Sequence, residues 1–202
     1  MEQRHAATAD DAMLWFEEYR QPIFYLCLAF LIAVLIYGAM LLAHSMKESD
    51  TAGKLAAATT VDAKLQVATQ YLGTDQAALA LLFVSSEQGQ DKNYDGAIKT
   101  YQLFLANYPH HPLSNAARIG LGSSEELKGL VEPALKDYLE AANRRPADSY
   151  NALALLDAAR LYEKKADLKA ARQALVDCST EYHDTTYGRQ AAEKLKELAP
   201  AK

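Results

Sequence analysis

From Gln21 to Met46 the chain carries no Asp, Glu, Lys or Arg. Within that stretch Ile23 to Ala43 reads IFYLCLAFLIAVLIYGAMLLA, 21 residues that are almost all apolar. At about 1.5 Å rise per residue such a helix spans about 31 Å, the thickness of a bilayer hydrocarbon core. A buried core helix rarely runs so far without a polar residue, so the pattern predicts a single transmembrane helix over 23–43. A cleaved signal peptide fits worse, because the preceding residues hold Glu2, Asp10, Asp11, Glu17 and Glu18 against Arg4 and Arg20. A signal peptide calls for a basic start, a shorter apolar run and small residues at a cleavage site.

Before the span, Ala12, Trp15, Phe16 and Tyr19 recur at the helical period. That spacing predicts an interfacial helix over 9–20 within an N-terminal segment 1–22, with a disordered acidic tail as the alternative. Pro22 is expected in the first turn of the spanning helix. Trp15, Tyr19, Ile23, Phe30, Leu35 and Leu42 are the candidate anchor residues, the two aromatic ones at the headgroup level. After the span, 44–73 reads as a helical stem and N-terminal cap. It is either continuous with the anchor or weakened at Gly53 and Thr59–Thr60, and it ends at Tyr71–Leu72–Gly73.

From residue 74 onward the pattern repeats. A shift of 37 residues superposes Ala97, Ala134 and Ala171, and likewise Tyr101, Tyr138 and Leu175. The same register aligns Phe104, Ala141 and Cys178, and Ala80, Ala117, Ala154 and Ala191. Each unit holds two helical patterns, with Pro109, Pro112 and Pro146 at the joints. The helices are expected near 75–90, 93–107, 114–127, 131–144, 149–165 and 167–181, with Thr74, Ser114, Ser149 and Asp167 as N-caps. One helix pair cannot cover its own apolar face, and stacking neighbours does so. The reading is all-α: the anchor, the stem, three helix pairs over 74–185 and a capping helix over 186–202.

Composition sharpens this only a little. Residues 47–202 hold 19 Lys+Arg and 21 Asp+Glu, mixed in sign, as on solvated helix faces. The whole chain carries a net −5, which argues against a nucleic-acid footprint. Its two cysteines exclude a disulfide scaffold.

The sequence holds no reactive constellation. His110–His111 are adjacent, share no helix face and have no Cys or carboxylate at ligand spacing, so a solvated turn is expected there. Gly120-x-Gly122 followed by Ser123–Ser124 lacks the lysine and strand of a phosphate loop, and close helix packing explains Gly122 better. Cys178 sits at a packing position with no histidine to activate it. An enzyme is not expected, and neither is a cofactor or a metal site.

The spacing Ala97-x3-Tyr101 followed by Pro109, repeated as Ala134-x3-Tyr138 with Ala141 and Pro146, resembles the tetratricopeptide repeat. Gly122 and Tyr162 add to the likeness. The unit here is 37 residues where the typical one is 34. An acidic N-terminus, one span and a repeat domain are similar to the ancillary translocon-associated family of the bacterial inner membrane. That resemblance implies a single-pass inner-membrane protein with a periplasmic repeat domain. Its partners would be subunits of a membrane complex such as a translocon, a periplasmic chaperone, or both. The charge bias across the span does not by itself orient it. A structural subunit of another membrane assembly, respiratory, secretion or cell-division, is the alternative.

Such solenoids present a concave face built from the first helix of each pair. By the repeat register the expected groove residues are Leu82, Ser86, Gln90, Ile119, Ser123, Glu126, Leu156, Arg160, Glu163 and Lys164. The same positions could be ordinary solvated ones, with Arg160, Glu163 and Lys164 forming an ion-pair group among themselves.

Overall fold

The computed structural model describes the backbone of residues 9–198 and the side chains from Tyr19 to Leu198. The first eight residues of the expected N-terminal segment, the last four of the expected cap and the side chain of Trp15 lie outside the described residues. The described elements are all helices: α1 (Ala9–Ala57), α2 (Val61–Gln70), α3 (Asp75–Gln90), α4 (Tyr94–Asn107), α5 (Ser114–Leu127), α6 (Val131–Ala142), α7 (Ser149–Lys164), α8 (Leu168–Glu181) and α9 (Thr186–Glu197). The chain divides into two units between Ser49 and Asp50.

In the first unit α1 is unbroken, so the helix expected over 9–20 leads into the span without a break. Pro22 lies inside the helix and not in its first turn. There it has no N–H to give to the carbonyl one turn back. From Tyr19 to Ala57 the helix is long and apolar enough to cross a membrane, and none of the side chains in its apolar window is buried. Phe30 is 72% exposed, Leu35 64% and Leu42 63%. Tyr19 is exposed as well, and Ile23 is half-buried.

In the second unit the final turns of α1 end at Ala57, and Thr60 caps α2 by accepting the N–H of Ala63 at 3.1 Å. The weak point is therefore Thr59–Thr60, while Gly53 stays helical. The Tyr71 hydroxyl donates to Asp50 Oδ2 at 2.6 Å and accepts from Lys54, which ties the turn after α2 to the end of α1.

Helices α3/α4, α5/α6 and α7/α8 form three antiparallel pairs, with α2 packed before them and α9 after. The first helices of successive pairs also touch: α3 with α5, α5 with α7 and α7 with α9. The small residues of the 37-residue series lie where helices close on one another. Ala97, Ala134 and Ala171 are wholly buried, as are Phe104, Ala141 and Cys178. A Cβ on Gly122 would stand 2.9 Å from the Tyr138 ring and 3.2 Å from the Ala134 carbonyl, so this glycine lets α6 lie against α5. That packing role is the one the sequence favoured over a phosphate loop.

The repeat extends to backbone detail. The turns inside the three pairs each place one residue in the left-handed region: Lys92 (φ 61°), Gly129 (φ 89°) and Ala166 (φ 59°), spaced by 37. In each turn the next N–H returns to the carbonyl five residues back: Asn93 to Gln88, Leu130 to Glu125 and Asp167 to Tyr162, at 2.8–3.0 Å. This is the Schellman closure. Only Gly129 meets it without the Cβ penalty of about 1 kcal/mol. An ion pair recurs at the same period, Lys128 with Asp95 and Lys165 with Glu132.

The caps correct two expectations. Ser114 and Ser149 are the first helical residues, not N-caps. The cap of α7 is Asp148, whose carboxylate accepts from Tyr150 N at 2.8 Å and Asn151 N at 3.3 Å. The buried Asn151 returns a bond to the Asp148 N–H and donates to the carbonyls of Ala142 and Arg144, closing the end of α6. The first-helix caps Thr74, Asp148 and Thr185 fall on one 37-residue register, whose remaining position is His111; the cap of α5 itself is Leu113, which offers no side-chain bond. At His111 the ring Nδ1 accepts the N–H of Leu113, two residues on, as Asp148 does for Tyr150.

Candidate partner-binding face

The face under consideration belongs to α3, α5 and α7. Helix α3 turns Ala77, Leu81, Val84 and Gln88 into the protein and leaves Leu79, Phe83, Ser86 and Gln90 outward. These four stand at i, i+4, i+7 and i+11, a narrow stripe along one side of the helix. Leu79 and Phe83 are each 47% exposed, and the Lys64 ammonium rests 4.2 Å from the centre of the Phe83 ring. Together with Leu55, Gln76 and Ala80 they form an open shelf of about 290 Å³.

The ten expected groove residues do not act as one set. Ser86 and Gln90 are exposed, joined by a weak 3.4 Å contact. Leu82 is half-buried against the first core cluster. Ile119 and Leu156 are 8% exposed and belong to the second core cluster, because their side of α5 and α7 closes on the neighbouring pair. Ser123, Glu126, Arg160 and Glu163 are half-buried, and Lys164 is exposed. The outward apolar positions Leu79 and Phe83 were missed. Their signal was the i, i+4 spacing one step away from the core stripe.

Glu126, Arg160 and Lys164 do meet, across two successive pairs. Arg160 grips the Glu126 carboxylate with both guanidinium nitrogens, at 2.5 and 2.7 Å, and Lys164 adds a third contact. The acidic partner is thus Glu126 of α5 and not Glu163 of α7. Arg160 also reaches Asp157 at 3.1 Å, and the buried Tyr138 hydroxyl donates to Glu126 at 3.3 Å. Bonds from Arg160, then Lys164, hold the Glu126 carboxyl down at about 2 despite its burial. The same ion pair raises Arg160 further. Burial, with the charges of Asp157 and Glu126, pushes Tyr138 up. The face therefore has an apolar end on α3 and a neutralised charged end on α5 and α7.

A second acidic cluster lies inside the α5–α6 pair. Glu125 is 5% exposed and its Oε2 has no hydrogen-bond partner. Burial and the charge of Asp137 push its carboxyl up to about 7. Asp137 is also raised by burial, and Arg118 opposes this from 2.9 Å while bonding Glu140 at 2.5 Å. Burial pushes the Cys178 thiol up to about 11; it donates to the Ala152 carbonyl at 3.4 Å and packs where Phe104 sits two repeats earlier. Among the described residues no group of three His, Cys, Asp or Glu is placed to hold a metal ion.

No family model matches the sequence, and no curated protein matches it. Solved structures do resemble the fold. PcrH in complex with the chaperone binding region of PopB aligns with a TM-score of 0.52 at 19% identity, covering 62% of this chain and 96% of that one. The CopN–Scc3 complex gives 0.54 at 15% identity, covering 65% and 74%. The nearly identical TPR-like repeats of a Podosopora anserina protein described as a kinesin light chain give 0.54 at 14%, covering 77% and 82%. The chain therefore has a tetratricopeptide-like helical-repeat fold.

Proposed function

We propose that this chain is a membrane-anchored tetratricopeptide-type scaffold that binds a segment of partner proteins on the exposed face of the first helices, α3, α5 and α7. The observation that carries this is the exposed stripe Leu79–Phe83–Ser86–Gln90, whose apolar end, Leu79 and Phe83, the repeat stacking leaves open. The fold neighbours support it: PcrH was solved with the chaperone binding region of PopB and again with that of PopD. Helix α1 supports the anchor, since none of the side chains in its apolar window is buried. The protein then works as an accessory factor of protein export or envelope chaperoning, with its repeats on the periplasmic side of a bacterial inner membrane.

A photo-crosslinking amino acid at position 83 in intact cells tests the face, with position 136 as control, because Lys136 is exposed away from it on α6. Adducts with translocon subunits or envelope chaperones at 83 and none at 136 are expected. Equal labelling at both positions, or adducts only with unrelated envelope proteins, would sink the reading. The long bare helix α1 also favours a second reading, a structural subunit of another membrane complex held through its anchor. Deletion of residues 1–46 would then abolish assembly with the repeats intact.

A further inference from the structure

The joints that lead into α5 and α7 meet around a cavity of about 360 Å³ lined by His110, His111, Pro112, Arg144, Arg145 and Asp148. Its donors are held in place by the protein. The Leu113 N–H bonds His111 Nδ1 at 3.1 Å, so the neutral ring carries its proton on Nε2. That ring is fixed edge-on against Phe104 and Tyr108, with centroids 5.5 and 6.3 Å away. Arg144 donates through Nη2 to the Pro109 carbonyl at 2.7 Å, which draws the guanidinium of one joint over the other. Its remaining N–H groups meet no protein acceptor among the described residues. Arg145 donates to the Arg144 carbonyl at 3.0 Å and stands 4.0 Å from Glu181, both side chains exposed. The acid on the lining is Asp148, and its Oδ1 is taken up by Tyr150 N, Asn151 N and Asn115 Nδ2. The cavity thus presents two guanidinium groups and an imidazole N–H with one acid already spent on a helix cap.

We propose that this cavity binds a phosphate group, free or carried on a lipid headgroup, through Arg144, Arg145 and the Nε2–H of His111. Guanidinium forks match phosphate oxygens in pairs. A planar carboxylate is satisfied by one such fork, whereas a tetrahedral oxyanion has oxygens enough for the two guanidinium groups and the imidazole that line this cavity. The sequence showed only an adjacent histidine pair in a turn. The second joint supplies the cations, and stacking brings them over.

Phosphorus-31 NMR of the full chain in maltoside micelles tests this, with inorganic phosphate in one arm and micelles doped with phosphatidic acid in the other. Phosphatidylcholine-doped micelles serve as the control. Line broadening by the native chain is expected in at least one of the two arms. Broadening with inorganic phosphate marks a soluble ligand, and broadening with phosphatidic acid alone marks a lipid one. Arg144→Gln with Arg145→Gln should weaken the binding by about tenfold per lost charge-assisted bond. His111→Asn keeps an acceptor for the Leu113 N–H and removes the Nε2 donor, so it should weaken binding several-fold, with melting lowered only by the lost ring contacts to Phe104 and Tyr108. No broadening with either probe, or equal broadening by the native chain and the arginine variant, overturns the proposal.

Discussion

Among single residues, Glu125 is the one whose environment departs most from what its type prefers. It sits in the core of the α5–α6 pair with an unpartnered oxygen and with Asp137 as its acidic neighbour. The groups around it are Asp137, Arg118, Glu140 and Lys136, and the first of these raises its proton affinity while Lys136 lowers it. The folded value, about 7, lies above the ordinary 4.5. Folding therefore takes up a proton between those values. The stability this contributes is fully present below about 4.5 and is lost as pH rises through about 7. Glu125→Gln stays neutral throughout, so it should be more stable than the native chain by roughly 1–2 kcal/mol near pH 8 and nearly equal to it near pH 5. Chemical denaturation at the two pH values measures this. Equal differences at both would show that Glu125 keeps its charge in the fold. None of this was visible in the chain, where Glu125 reads as one more polar residue beside Glu126. Which of two adjacent glutamates turns inward depends on a helix phase that Leu121 and Gly122 fix only once α6 is packed.

For the helices, the 37-residue period was legible because small and large side chains must alternate wherever two helices touch. The caps were less so, since a cap depends on which residue leaves the helix and not on which has a hydroxyl. The second-helix caps Asn93 and Asp167 each accept the N–H three residues on, from Gly96 and Ala170 at 3.1 Å. The matching position in the middle pair is Leu130, which offers no side-chain bond. The reason lies three residues on: the equivalent of Gly96 and Ala170 is Pro133, which has no N–H to be capped. Leu130→Asp alone should change stability by less than about 0.5 kcal/mol. In a Pro133→Ala background it should add about 1 kcal/mol, because the missing donor is restored. A double-mutant cycle read by thermal melting gives this coupling, and strict additivity would refute it. Between helices the sequence was least informative. Arg160 and Lys164 lie beside Glu163 on their own helix, yet they reach across to Glu126, and that choice is made by how α7 stacks on α5.

Across the repeat unit as a whole, α5 is the junction. Ala117 of α5 belongs to the cluster built from α2, α3 and α4, with Leu81 and Phe104 at its centre. Two residues on, Ile119 belongs to the cluster that runs through α6, α7, α8 and α9, around Tyr138, Leu161 and Leu175. Each pair contacts only its neighbours, so among the helices damage in one cluster reaches the other through α5, with the Arg144–Pro109 bond as the link between the joints. Leu81 and Leu161 are both wholly buried, one in each cluster neighbourhood, and truncating either to alanine should cost about 2–5 kcal/mol. The consequences should differ in place. With Leu81→Ala, amide hydrogen exchange should accelerate in α2–α4 and remain near native in α7–α9. With Leu161→Ala the order should reverse, α7–α9 opening while α3 and α4 stay protected. Uniform acceleration in both variants would mean that the array folds as one cooperative block. A partner segment lying along the face from Phe83 to Lys164 would cross this junction, so its binding should slow exchange in both clusters together and make the two truncations less local than they are in the free chain.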